Sequence, residues 1–178
     1  MYQTLVALWL VLLLSFPCVQ AQEPKPTEYQ LKAAFIYHFA QFVSWPATNS
    51  ADTGSPFVIG VLGENPFGPV LEQAVHGKTL NEHPLMVKDI RSLTEANHVQ
   101  ILFISSSEKK RFQEIFAALA DKSVLTVGEA DTFLESGGII NFVREGTKIH
   151  FQINEQAAKN AHLKISSKLL TLGIRKAQ

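Results

Sequence analysis

The chain has 178 residues, 46% of them hydrophobic and twelve of them phenylalanine, which is enough for one domain with a substantial core. Sixteen lysines and arginines balance sixteen aspartates and glutamates. That neutrality argues against nucleic acid, whose binding needs a basic face to release phosphate counterions, and against electrostatic attachment to anionic lipid.

Leu5 to Phe16 form an apolar run of signal-peptide length, too short to span a bilayer. Pro17 breaks the run, and Val19-Gln20-Ala21 suits cleavage before Gln22. Residues 1–21 therefore read as a signal peptide and 22–178 as the mature domain. Phe16-Pro17 stands where a lipidation site at Cys18 would need small residues, so a lipid anchor is not expected. Cys18 is the only cysteine, and its loss on export leaves a mature chain with no disulfide to stabilise it. The expectation is an exported, soluble protein of the bacterial periplasm, which removes ATP-dependent chemistry from consideration.

Glu28 to Trp45 read as a helix capped by Thr27. Leu31, Phe35, Phe39 and Phe42 recur at helical spacing, and Ile36, Ala40 and Val43 widen the stripe beyond what one sheet face needs. Trp45-Pro46 ends it, because a residue before proline is pushed out of the α region. Phe57 to Leu62 is a continuous apolar strand of the kind buried on both faces. Gly63-Glu64-Asn65 turns the chain, and Pro66 opens a helix to about Val75. Pro84 to Ile90 predict a peripheral strand and Val99 to Ile104 a buried one. Ser105-Ser106-Ser107 can cap a helix reaching Ala120, with Phe112, Ile115, Phe116 and Leu119 inward.

Val124 to Val127 make a third buried strand, followed by Gly128 and a helical turn at Asp131 to Leu134. Ile139 to Val143 and Lys148 to Ile153 predict an antiparallel edge hairpin turned at Glu145-Gly146, with Ile149, Phe151 and Ile153 on one face. Asn154 caps a helix to His162, and Ile165 to Ile174 is a final apolar segment. The predicted fold class is α/β: a single domain, a mixed and mostly parallel sheet, helices on both faces and an antiparallel edge hairpin.

Chemical motifs are sparse. Gly77-Lys78-Thr79 lacks the earlier glycine of a phosphate loop, since Glu72 occupies that place. The six histidines are scattered without ligand spacing, and Ser105 to Ser107 have no nucleophile elbow around them. Neither a catalytic residue, a metal nor a cofactor is expected. A positional cluster remains: in a parallel sheet the loops carrying Gly63, Asn65, Ser105 and Gly128 leave one carboxyl edge, where open α/β sheets bind small ligands. Turn chemistry explains the same residues. The wide stripe on the first helix is either core or a partner surface.

The ordered segments resemble the YfiR/HmsC-like family. The resemblance is carried by Leu31 to Pro46, by Ile59 to Gly63 with Asn65-Pro66-Phe67-Gly68, and by His98 to Ser105. Val124 to Val127, Gly137 to Ile140, Phe151 to Asn154 and Ile165 to Leu170 follow in order. It implies a non-enzymatic periplasmic repressor that binds the periplasmic domain of an inner-membrane diguanylate cyclase, lowering cyclic di-GMP and biofilm formation. It also implies a homodimer and sequestration by an outer-membrane lipoprotein. Asn97 stands where many relatives carry a cysteine. The expected partner surface comprises Phe35, Phe39, Ile165, Leu169 and Leu172. The alternative is a periplasmic small-molecule binding module using the carboxyl-edge loops.

Overall fold

The structure, a computed structural model, describes residues 26–46 and 54–173. The expected signal peptide and its cleavage point lie outside those residues.

The chain opens with α1 (Glu28–Phe42), started by a capping box in which Thr27 and Gln30 exchange side-chain-to-amide bonds. It continues through β1 (Val43–Ser44), β2 (Phe57–Leu62), α2 (Val70–Val75), β3 (Thr79–Leu80), β4 (His83–Ile90) and α3 (Leu93–Ala96). β5 (Ile101–Ile104) leads through a 3-10 segment, Ser106–Arg111, into α4 (Phe112–Ala118) and then β6 (Leu125–Gly128). The hairpin β7 (Ile140–Glu145) and β8 (Lys148–Ile153) is followed by α5 (Glu155–Asn160), β9 (Lys164–Ile165) and α6 (Ser167–Leu172).

Seven strands form one sheet in the order β3-β4-β2-β5-β6-β7-β8. β4, β2, β5, β6 and β7 are parallel, with antiparallel β3 and β8 at the two edges. From β2 the chain winds outward to β4 and returns past β2 to β5, so the winding direction reverses between β2 and β5. This is the predicted α/β class, edge hairpin included. Among the described residues no helix is long and apolar enough to cross a membrane.

The central parallel strands β2, β5 and β6 are buried on both sides because both sides are covered. On one face α1, α2, α5 and α6 pack over Ile59, Val61, Ile101, Phe103, Leu125, Val127, Phe142 and Phe151. On the other, α3, α4 and the turns near Phe133 pack over Leu62, Leu102 and Ile104. α1 lies in the middle of its layer, touching α2 on one side, α6 on the other and β8 below. That threefold packing uses up most of the wide apolar circumference seen in the sequence.

Several boundaries moved, each for a local reason. α1 stops at Phe42, because Val43 and Ser44 leave the helix to pair with Ile165 and Lys164 in a second, two-stranded sheet. Trp45 is then free to set its ring edge-on to Phe57 and to donate Nε1–H to the Gln100 carbonyl. The second helix starts at Val70 and not at Pro66, since Asn65 Oδ1 accepts from the Phe67 amide and holds a turn there. β5 starts at Ile101, because the Gln100 side chain takes the Val58 amide that a backbone carbonyl would otherwise accept. After β5 the Ser105 hydroxyl caps two residues ahead, at the Ser107 amide, and the first turns are 3-10 before α4 begins. Residues 131–137 form turns instead of a helix.

Phe39 is fully buried among Phe35, Phe142 and Phe151, with ring centroids 6.2, 5.8 and 5.1 Å away. Phe39→Ala should cost about 3–5 kcal/mol through lost contacts and the cavity left behind. The expected reading is a lower urea midpoint at unchanged m-value, and an unchanged midpoint would contradict this packing.

Candidate functional site

Two regions carry the predicted residues: the carboxyl edge of the sheet, and the layer made by α1 and α6. At the carboxyl edge, Gly63 has φ +89°, and a Cβ there would lie 2.5 Å from Ser107 Oγ. The Glu64 amide donates to that same hydroxyl at 3.0 Å, so the loops after β2 and β5 are bolted together at the point where the winding reverses. Asn65 accepts from Phe67 N at 3.0 Å and donates from Nδ2 to Asp89 Oδ1 at 3.1 Å. Ser105 is buried, and its hydroxyl is engaged as a cap.

Gly128 sits at the end of β6, where it forms one wall of a slot. A Cβ on Gly128 would lie 2.4 Å from the Phe133 ring, and one on Gly138 would lie 2.2 Å from it. Phe133 is fully buried between these two glycines, edge-on to Phe112 and Phe116. The four residues do gather along one edge, but the Asn65 and Ser105 side chains are engaged by neighbouring loop residues and Gly128 is packed against the Phe133 ring. Open clefts lie elsewhere. One of about 490 Å³ runs between α4 and α5 past Phe116, Leu134, Ile139 and Asn154. Among the described residues no group of three His, Cys, Asp or Glu is placed to hold a metal ion.

The same edge holds a charged cluster that the sequence reading passed over. Lys32, only 4% exposed, lies on the buried side of α1. Its ammonium contacts Glu28 Oε1 at 2.5 Å and Glu129 Oε2, just past β6, at 2.6 Å. It also sits 4.7 Å from the centroid of the Tyr29 ring. Arg144 reaches Glu28 Oε2 from β7 at 3.3 Å. The hydrogen bond from Lys32 holds the Glu28 carboxyl below its ordinary value, against the opposing effect of burial. Burial alone would pull Lys32 down, but its bonds to Glu129 and Glu28 outweigh that and raise it. Tyr29 is raised, first by burial and then by the Glu129 charge. The signal for this cluster was present: Glu28 and Lys32 stand four apart, the spacing of a helical ion pair, with the lysine inside an apolar stripe.

In the α1–α6 layer the five expected partner residues separate by depth. Phe39 and Leu169 are core, at 0% and 2% exposure, and offer no surface to a partner in this structure. Phe35 is half-buried against Phe142 and Phe151. Ile165 is half-buried beside its pairing partner Val43. Leu172 is 62% exposed. α6 runs antiparallel to α1, for Lys168 near its start lies over the Phe42 ring and Gly173 at its end packs on Phe151.

The chain belongs to the YfiR/HmsC-like family, whose model matches residues 29–174. A comparison with curated proteins finds no match. Among solved structures it is similar to a conserved domain protein from Vibrio cholerae O1 biovar El Tor, at 11% identity and TM-score 0.59, covering 85% of this chain and 60% of that one. It is also similar to the ABC domain in complex with L-Trp from Streptococcus pneumonia, at 12% identity and TM-score 0.54, covering 83% and 59%. These likenesses show the fold, and the chain spans about three fifths of the length of each.

Gly128→Ala should cost about 1–3 kcal/mol by overpacking against Phe133, read as a lower urea midpoint. No loss of stability there would mean that the slot is not tight. Lys32→Met strands two partly exposed carboxylates and should cost about 2 kcal/mol at neutral pH. The pH dependence follows from the shifts. Glu28's contribution is present above its unfolded value near 4.5 and is lost as pH falls through its lowered folded value. Lys32's contribution is complete below 10.5 and is lost as pH rises through its raised folded value. The gap between wild type and Lys32→Met should therefore be widest from about pH 5 to pH 10 and narrow on both sides in urea titrations. A gap independent of pH would show that the charges are not what holds α1.

Proposed function

We propose that this protein is a periplasmic regulator that binds and represses an inner-membrane diguanylate cyclase, lowering cyclic di-GMP and biofilm formation. The observation that carries the reading is the family match, which spans nearly the whole described domain, from Tyr29 to the end of α6. The apolar run at residues 5–16 supports export to the compartment where the cyclase's sensor domain would be met.

Repression by binding needs no reacting group. It needs a surface with higher affinity for the inactive arrangement of the partner than for the active one. The α1–α6 layer supplies such a surface in Phe35, Ile165 and Leu172, with Phe39 and Leu169 as the packed layer that keeps it in shape. A homodimer, and capture by an outer-membrane lipoprotein that competes for the repressor, belong to the same proposal.

Deleting the gene in its native host should raise intracellular cyclic di-GMP, and restoring the exported protein should reverse the rise. Leu172→Asp should fold with an unchanged melting temperature yet fail to restore the low level. No rise on deletion would remove the repressor reading for this protein. Full restoration by Leu172→Asp would move the partner surface away from α6.

A further inference from the structure

The balanced charge of the whole chain conceals a local asymmetry on the face that carries Leu172. From Gln156 to Gln178 the sequence holds Lys159, Lys164, Lys168, Arg175 and Lys176 and no aspartate or glutamate. The same holds along the outward side of α1: after Glu28 no acidic residue occurs before the helix ends. The two acid-free stretches are brought together by the fold, since β9 pairs with β1 and Lys168 lies 5.2 Å from the centroid of Phe42. Among the described residues, Lys159, Lys164 and Lys168 join no ion pair, as is true of several other surface lysines, but here no acidic residue follows Glu155 to offset them.

Beside these lysines lies a groove of about 210 Å³ between α5, β9 and α6. Its floor is Ala158, Leu163, Ile165 and Leu170, and its rim is Lys159 and Lys164, with Glu155 at one end as the acidic member. Lys168 and Leu172 stand one turn apart on the exposed ridge of α6. We propose that this ridge and groove dock an acidic, amphipathic segment of the partner protein, seating an apolar side chain in the groove and carboxylates against Lys164 and Lys168.

Three observations favour that occupant over the others. A concave apolar pocket bounded by charge fits a side chain better than the flat surface of a bilayer. A second copy in a two-fold dimer would bring this face against itself, opposing like charges. An acidic segment instead pairs with every lysine and is repelled only at Glu155. The proposal rests on the repressor reading and names the chemistry of the partner side.

The test is binding of the purified mature protein to the periplasmic domain of the host's inner-membrane diguanylate cyclase, read by calorimetry at low and high NaCl. The variant is Lys164→Glu/Lys168→Glu, and the control is Lys109→Glu/Lys110→Glu, an equal charge change on the 3-10 segment after β5. Wild type and control should bind more weakly as salt rises, and the variant should lose at least about tenfold in affinity while keeping its melting temperature. Equal binding by variant and wild type would overturn the acidic-partner inference and leave the repressor reading standing. Lysine-dependent sedimentation with phosphatidylglycerol vesicles but not phosphatidylcholine vesicles would assign the face to a membrane instead. Loss of a dimer in the variant, seen by analytical ultracentrifugation, would assign it to a second copy. A cyclase domain that does not bind, together with unchanged cyclic di-GMP on deletion, would overturn both readings.

Discussion

The arrangement of this domain depends on how α1 is held. It is the only long helix among those described, it precedes every strand, and no disulfide ties it down. Two unlike attachments fix it. At its start, the buried Lys32 ammonium must meet Glu129 at the end of β6, because a lone charge at that depth would be far too costly. At its end, Val43 and Ser44 pair with β9, a clasp between residues far apart in sequence. An apolar helix could slide or rotate over an apolar sheet at little cost. The ion cluster removes that freedom, since Lys32 finds both carboxylates in one register alone.

The central strands and the edge hairpin were legible because burial on both faces writes a run of apolar residues, and burial on one face writes alternation. What escaped notice was set by distant partners. β1 and β9 are two residues each and carry no period. Their pairing shortens α1, which local pattern alone would run on to Trp45. β3 and β4 join through Asn81 and Glu82, both at positive φ, a turn for which glutamate gives no warning. The helical turn expected after Gly128 became the turns that carry Phe133 into its slot, a packing decision made by two glycines ten residues apart.

The candidate site was legible to a similar extent. Position along the sheet correctly gathered Gly63, Asn65, Ser105 and Gly128 at one edge, but position does not say whether a polar group is still free. Here the Ser107 hydroxyl, the Phe67 amide and Asp89 have already taken what those loops offer. The stripe on α1 was ambiguous because a helical pattern shows how much circumference is apolar, not how many neighbours will cover it. Three neighbours cover most of it.

What remains outside the core therefore gains in meaning. With α1 packed on three sides, the apolar atoms left in the open along this layer lie at the α6 ridge and the half-buried aromatics beside it, the region where acidic residues are missing. An interior explanation accounts for Phe39 and Leu169 but not for Leu172, which stabilises nothing by standing in water. A lone exposed leucine is ordinary. One that stands a turn from Lys168, on a helix whose Leu170 lines a small apolar groove rimmed by Lys159 and Lys164, belongs to a region that on the proposed reading combines the two components of a binding surface, desolvation at its centre and charge at its rim. On the proposed reading of a regulator that works by holding another protein, the informative residues are those the fold could have hidden and did not.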